Sequence, residues 1–143
     1  MGGRVDGALL DVNALVALAW DSHVHHVAIR TWFDEHHRRG WATSAITESG
    51  FVRVSSNPRV LPHSIDVGAA IGVLARMRAA AGHRFLADGV SPTDPDVPRI
   101  VGHRQVTDAL LLTIARRAGL RIVTFDRALM TLAGDRDVEL LEG

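Results

Sequence analysis

The sequence predicts an α/β protein, a three-layer α/β/α sandwich around a central parallel sheet. Two observations carry that prediction. Short apolar runs alternate along the chain with longer segments of helical periodicity, the pattern of successive βα units. The two clearest runs, Ala8-Leu9-Leu10 and Arg121 to Phe125, each end in an aspartate, Asp11 and Asp126. That placement suits parallel strands whose carboxyl ends open on one edge. With 143 residues, 47% of them apolar, the chain is long enough for one core, and residues 1–143 read as one domain.

Taken in order, Ala8–Leu10 is a buried-strand candidate and Asn13 to Trp20 a helix. His23 to Arg39 reads as a second helix, with Val24, Ala28 and Trp32 on one stripe and Ile29 and Phe33 beside it. His37, Arg38 and Arg39 suit the negative end of its dipole, and Gly40 can take a left-handed stop. Trp41 to Thr43 is the second strand. Ile46 to Ser55 is a helix stopped by Asn57-Pro58. Asp66 to Ala81 is amphipathic, with Ala70, Leu74, Met77 and Ala81 in register and Gly82 closing it. Arg84 to Leu86 is a third strand. Residues 88–99 hold Pro92, Pro95 and Pro98, the mark of a mobile loop. Asp94 and Asp96 within it lack the glycine and distal glutamate of a calcium loop. Gln105 to Ala118 is a helix followed by Gly119. Arg121 to Phe125, a short helix at Ala128 to Leu132 and a strand at Val138 to Leu141 complete the chain.

Composition narrows the chemistry. There is no cysteine, which removes disulfides, Cys-ligated zinc and thiol catalysis. Sixteen acids balance sixteen bases, all of them arginine, so net charge gives no global case for nucleic-acid binding. Contact with RNA would come from a local arginine patch and a bound cation. No leader and no apolar run of about 20 residues is visible, so a cytoplasmic protein with no membrane association is the expectation.

Four carboxylates draw attention. Asp11 and Asp126 follow strands directly, Glu48 lies one turn into the helix after the second strand, and Asp108 opens the helix after the proline loop. All four start from one sheet edge and can converge there. Each also has an ordinary role: Asp11 and Asp126 as helix caps, Asp108 as a first-turn acid facing a helix dipole, Glu48 on a solvated face. Glu48 sits one residue too late for a capping box counted from Ser44. Clustered carboxylates repel unless a cation neutralises them, and an all-oxygen set suits Mg²⁺ or Mn²⁺. Phosphodiester hydrolysis is the natural reaction class for such a site. Arg53 and Arg104, near Glu48 and Asp108 in sequence, are candidates for phosphate or RNA-backbone contact, against an ordinary role as surface arginines paired with a neighbouring acid.

Three other readings stand beside this one. His23, His25 and His26 suggest a zinc hydrolase, but their spacing puts at most two on one helix face. An aspartyl-phosphate enzyme built on Asp11 lacks the lysine such chemistry uses, and position 13 is Asn. A binding module without turnover is disfavoured by the presence of all four acids.

Leu10-Asp11-Val12-Asn13, Ile46-Thr47-Glu48, Val106-Thr107-Asp108-Ala109 and Thr124-Phe125-Asp126 resemble, in order, the four acidic signatures of PIN domains. The stretches at His23-Val24-His25-His26, Trp41-Ala42-Thr43 and Gly50-Phe51-Val52-Arg53 to Ser56-Asn57-Pro58 resemble a VapC subgroup abundant in mycobacteria. The resemblance implies a PIN-domain sandwich and a Mg²⁺- or Mn²⁺-dependent endoribonuclease acting as the toxin of a toxin–antitoxin pair. It implies Asp11, Glu48, Asp108 and Asp126 as metal-binding catalytic acids, supported by Asn13 and Thr124. It further implies structured RNA such as tRNA as substrate, a homodimer, and a VapB-type antitoxin as inhibitor. The acidic pocket suits an antitoxin arginine, and the helices at 13–20 and 24–39 are expected to form one wall of the antitoxin's groove.

Overall fold

Five short strands build one sheet: β1 (Ala8–Leu10), β2 (Trp41–Ser44), β3 (His83–Leu86), β4 (Arg121–Thr124) and β5 (Val138–Leu140). Their order is β3-β2-β1-β4-β5, and every pairing is parallel. The computed structural model describes residues 7–87 and 89–143. Helices α1 (Val12–Ala19), α2 (His26–His36), α3 (Ala45–Ser55), α4 (Val67–Arg78) and α5 (Val106–Arg117) carry the crossovers, and a 3₁₀ turn at Arg127–Thr131 joins β4 to β5.

The chain leaves β1 toward β2 and β3, then returns to the other side of β1 for β4. The gap between β1 and β4 is therefore the switch point of the sheet, where open α/β folds place ligands. Alternation along the strands divides the core into two layers. Ala8, Leu10, Trp41 and Val123 face α1–α4, with Phe33, Phe51 and Leu74 among the residues that cover them. Leu9, Ala42, Ile122, Leu86 and Val138 face α5 through Leu111, Leu112 and Ala115. Helices lie on both faces, as an all-parallel sheet requires.

Several boundaries differ from the sequence reading. The second helix begins at His26, and Val24, expected on its buried stripe, is 79% exposed. Residues His37–Arg39 tighten into a 3₁₀ turn. Gly40 has φ +123° and ψ +130°, a positive-φ extended conformation rather than the left-handed helical stop expected for it. Gly82 has φ +86°, and a Cβ there would stand 2.0 Å from the His37 carbonyl oxygen. Ala81 falls past the end of α4 and is exposed. The loop expected to be mobile is tied to α5, because Arg117 binds Asp94 at 2.6 Å and Asp96 at 3.0 Å. No helix among the described residues is long and apolar enough to cross a membrane.

Candidate active site

Asp11 follows β1 at the switch point and is 8% exposed. Its backbone is extended (φ −67°, ψ 163°), and Oδ1 accepts the Val12 N–H at 2.8 Å. The aspartate thus starts α1 in the capping role that its position allows. Its second oxygen, Oδ2, accepts the Thr124 hydroxyl from the end of β4 at 2.8 Å. No basic side chain among the described residues pairs with Asp11.

Thr124 connects the two strands that flank the switch point. Having donated to Asp11, its oxygen accepts the Asn13 amide at 3.2 Å and the Asp126 backbone N–H at 3.0 Å. Asn13 Oδ1 accepts the Phe125 N–H at 3.2 Å. The positions expected to support the acids therefore form one connected network around Asp11 and Asp126. Asp126 itself is exposed and starts the 3₁₀ turn, accepting the Ala128 N–H at 2.9 Å.

Asp108 sits in the first turn of α5, which begins at the same sheet edge from the opposite layer. Burial, then the negative charges of Asp11 and Asp126, push its carboxyl up to about 6. Asp11 is also raised, chiefly by burial and further by Asp126, against the opposing pull of its Thr124 and Val12 hydrogen bonds. Residues 11, 108 and 126 thus share one electrostatic environment.

Glu48 takes a different partner set. The Ser44 hydroxyl and Thr47 side chain form a capping box, so Thr47 fills the position in which a glutamate was sought. Glu48, one residue later, lies with its side chain 13% exposed. Its Oε2 accepts the Thr43 hydroxyl at 2.5 Å, and Oε1 meets Arg78 at 3.4 Å. Thr43 in turn accepts from His83 Nε2 at 2.8 Å. Burial and the Arg78 charge lower the His83 pKa, partly offset by Glu48. Sequence reasoning missed Thr43, Arg78 and His83. Thr43 and His83 meet through the β2–β3 register, in which Trp41 stands opposite His83 and Thr43 opposite Phe85, and Arg78 reaches Glu48 from the end of α4.

Gly50 explains how α3 approaches the site. A Cβ at this position would stand 2.5 Å from a Val12 methyl, so the helix carrying Glu48 packs directly on the residue after Asp11. Arg53 is exposed in the last turn of α3, away from the end that bears Glu48, and Arg104 is exposed in the turn that leads into α5.

The donor set fits a hard divalent cation: an uncompensated buried carboxylate, two more acids in its field and oxygen donors throughout. Among the described residues, no three acidic or imidazole side chains stand in a ready-made coordination array. The nearby histidines have other partners. His26 Nδ1 lies 2.8 Å from the Ala17 carbonyl, His25 stacks on Phe125, and His23 Nδ1 accepts the His25 N–H.

The family model described as PIN domain matches residues 8–134. The chain is 64% identical over 137 residues to ribonuclease VapC38 of Mycobacterium tuberculosis, covering 94% of this chain and 97% of that one. It is 47% identical over 144 residues to ribonuclease VapC39 of the same organism, covering 94% and 99%. The crystal structure of VapC20 from M. tuberculosis, titled a sarcin-ricin loop cleaving toxin, superposes with a TM-score of 0.59 at 13% identity, over 87% of this chain and 93% of that one. That likeness concerns the fold. The chain belongs to the PIN-domain family, within its VapC-type branch of mycobacterial character.

Proposed function

We propose that this protein is a divalent-metal-dependent endoribonuclease, the toxin of a toxin–antitoxin pair restrained by a VapB-type antitoxin. The observation that carries the reading is Asp11, a buried carboxylate at the sheet's switch point with no cationic partner among the described residues. Hydrogen bonds from Val12 and Thr124 meet its two oxygens, but a buried carboxylate charge without an opposite charge beside it is costly unless something neutralises it. The ribonuclease names of VapC38 and VapC39 supply the reaction class.

Asp11, Asp108 and Asp126 would hold Mg²⁺ or Mn²⁺, with Glu48 as the fourth acid. When bound, the ion would supply charge stabilisation at phosphorus and a more acidic water. The chain's own residues do the positioning. Thr124 fixes the rotamer of Asp11 through its hydroxyl and holds the Asp126 backbone with the same oxygen. Asn13 braces Thr124 and the strand end at Phe125. Thr43 and Arg78 fix Glu48 from the neighbouring strand and helix. Arg53 and Arg104 remain proposed backbone contacts, with Arg104 the better placed because it precedes Asp108 by one turn.

For the antitoxin, a groove runs between α1, α2 and α4, lined by Leu18, Trp20, Phe33, Val73 and Met77. Helices α1 and α2, proposed from the sequence as one wall of an antitoxin groove, both contribute to this lining. An apolar segment of the antitoxin would lie there and lead an arginine to the acids. A homodimer and a structured RNA substrate complete the proposal.

The test is cleavage of purified cellular RNA by the isolated chain with Mg²⁺ or Mn²⁺, compared with Asp11→Asn. Metal-dependent cuts lost in the variant are the expected result. Intact RNA across a broad substrate panel, or cuts that persist in Asp11→Asn, would refute the proposal.

A further inference from the structure

Beside the carboxylates, the outer edge of the sheet carries a cation and an aromatic ring together. Phe85 lies on β3, the edge strand, and is 38% exposed. The Arg78 guanidinium lies over its ring, 5.1 Å from the centroid. The same guanidinium meets Glu48 at 3.4 Å through a single nitrogen, and the Arg78 side chain is 42% exposed. An arginine has five N–H donors, and the contact with Glu48 engages one nitrogen of this half-exposed side chain. The two contacts hold the guanidinium between a partly exposed ring and Glu48, a candidate catalytic acid.

We propose that Arg78 and Phe85 form a nucleotide subsite flanking the carboxylates, with Arg78 binding a phosphate of single-stranded RNA and Phe85 packing against the adjoining base. This rests on the reading of the chain as a ribonuclease. Recognition of unpaired RNA relies on aromatic and guanidinium planes that stack bases and on cations that track the backbone. The formal net charge of zero makes such a local device necessary, because the whole-molecule field does not gather RNA. Thr43 stands opposite Phe85 in the β2–β3 register and binds Glu48, so base platform and acid are one strand apart. A role confined to neutralising Glu48 would call for Arg78 but not for an exposed aromatic ring beneath it.

The experiment measures binding of a short fluorescein-labelled single-stranded RNA of mixed sequence to Asp11→Asn protein, which keeps the probe intact, across a salt series. Phe85→Leu in that background should weaken binding about 5- to 100-fold, and Phe85→Tyr should restore most of it. Arg78→Gln should weaken binding and flatten the dependence of log affinity on log salt by about 0.7. Mn²⁺ affinity and thermal melting of the same substitutions made in the wild-type chain, with Asp11 intact, separate loss of RNA contact from damage to Glu48 or the fold. Unchanged RNA affinity in Phe85→Leu together with an unchanged salt slope in Arg78→Gln would overturn the subsite, even while metal-dependent cleavage by the wild type stands. Absence of both RNA binding and metal-dependent cleavage in the wild type would overturn the ribonuclease reading and the subsite with it.

Discussion

Replacing Asp108 by Asn should stabilise the metal-free protein while impairing its metal response. The carboxyl of Asp108 is pushed up to about 6, first by burial and then by Asp11 and Asp126. Its unfolded value is about 3.9. Because the folded value is the higher one, folding favours the protonated form. The penalty is absent below about pH 4, grows as pH rises to about 6, and stays constant above. Two orders of magnitude in proton affinity correspond to about 3 kcal/mol. Asp108 is only partly buried, and solvent screening reduces this to about 1–2 kcal/mol. In a chain of this size that is a rise in Tm of about 3–8 °C for Asp108→Asn near pH 7.5. The assay is urea and thermal unfolding in EDTA at about pH 7.5 and about pH 4.5, where the difference should shrink. Added Mn²⁺ at about 100 times its Kd should stabilise the wild type by about 2.7 kcal/mol and the variant by less. Equal metal-free stability near neutral pH, or a difference that persists on acidification, would refute the assignment of Asp108 to a shared anionic pocket.

Three further outcomes follow from the same geometry. Thr124→Val removes the donor to Asp11 and the acceptor for Asn13 and Asp126; it should cost about 1–3 kcal/mol in unfolding experiments and weaken Mn²⁺ binding measured by calorimetry. Gly50→Ala places a methyl group 2.5 Å from Val12 and should destabilise by about 1–3 kcal/mol, with Val12→Ala recovering part of the loss in a double-mutant cycle. Arg117→Gln releases Asp94 and Asp96; it should speed limited proteolysis within residues 89–101 and leave the melting temperature nearly unchanged, since all three groups are near the surface.

The strands that precede Asp11 and Asp126 were legible because a short apolar run followed by an acid is a local pattern, although β4 stops at Thr124, two residues before Asp126. So was the amphipathic α4, where Ala70 and Leu74 are buried as its periodicity predicts. What escaped was set by non-local geometry. Val24 reads as part of a helical stripe, yet the chain turns through His23–His25 before α2 begins, and Val24 ends in solvent. Gly40 reads as a helix stop, but it joins the 3₁₀ turn at His37–Arg39 to β2 in an extended positive-φ conformation. The capping box used Thr47, whose hydroxyl does the work usually assigned to a glutamate, and this left Glu48 free to face the sheet.

The four acids show the same division. Asp11, Asp108 and Asp126 are brought into one field, as their starting points at one edge suggest. Glu48 starts from that edge too, but its side chain is drawn toward Thr43 and Arg78. Arg78 is 30 positions away from Glu48, and no periodicity connects them. The ordinary and the functional readings of Asp11 and Asp126 also prove compatible. Each caps a helical turn with one carboxylate oxygen, leaving the other oxygen to the network or to solvent.

Anomalous diffraction from crystals soaked in Mn²⁺ tests directly whether these carboxylates bind a divalent ion together. A single strong peak in direct or water-bridged reach of Asp11, Asp108 and Asp126, about 2.0–2.2 Å from the nearest oxygen, is the predicted result. Mn²⁺ seated instead among His23, His25 and His26, or no ordered Mn²⁺ at the β1–β4 switch point, would contradict it.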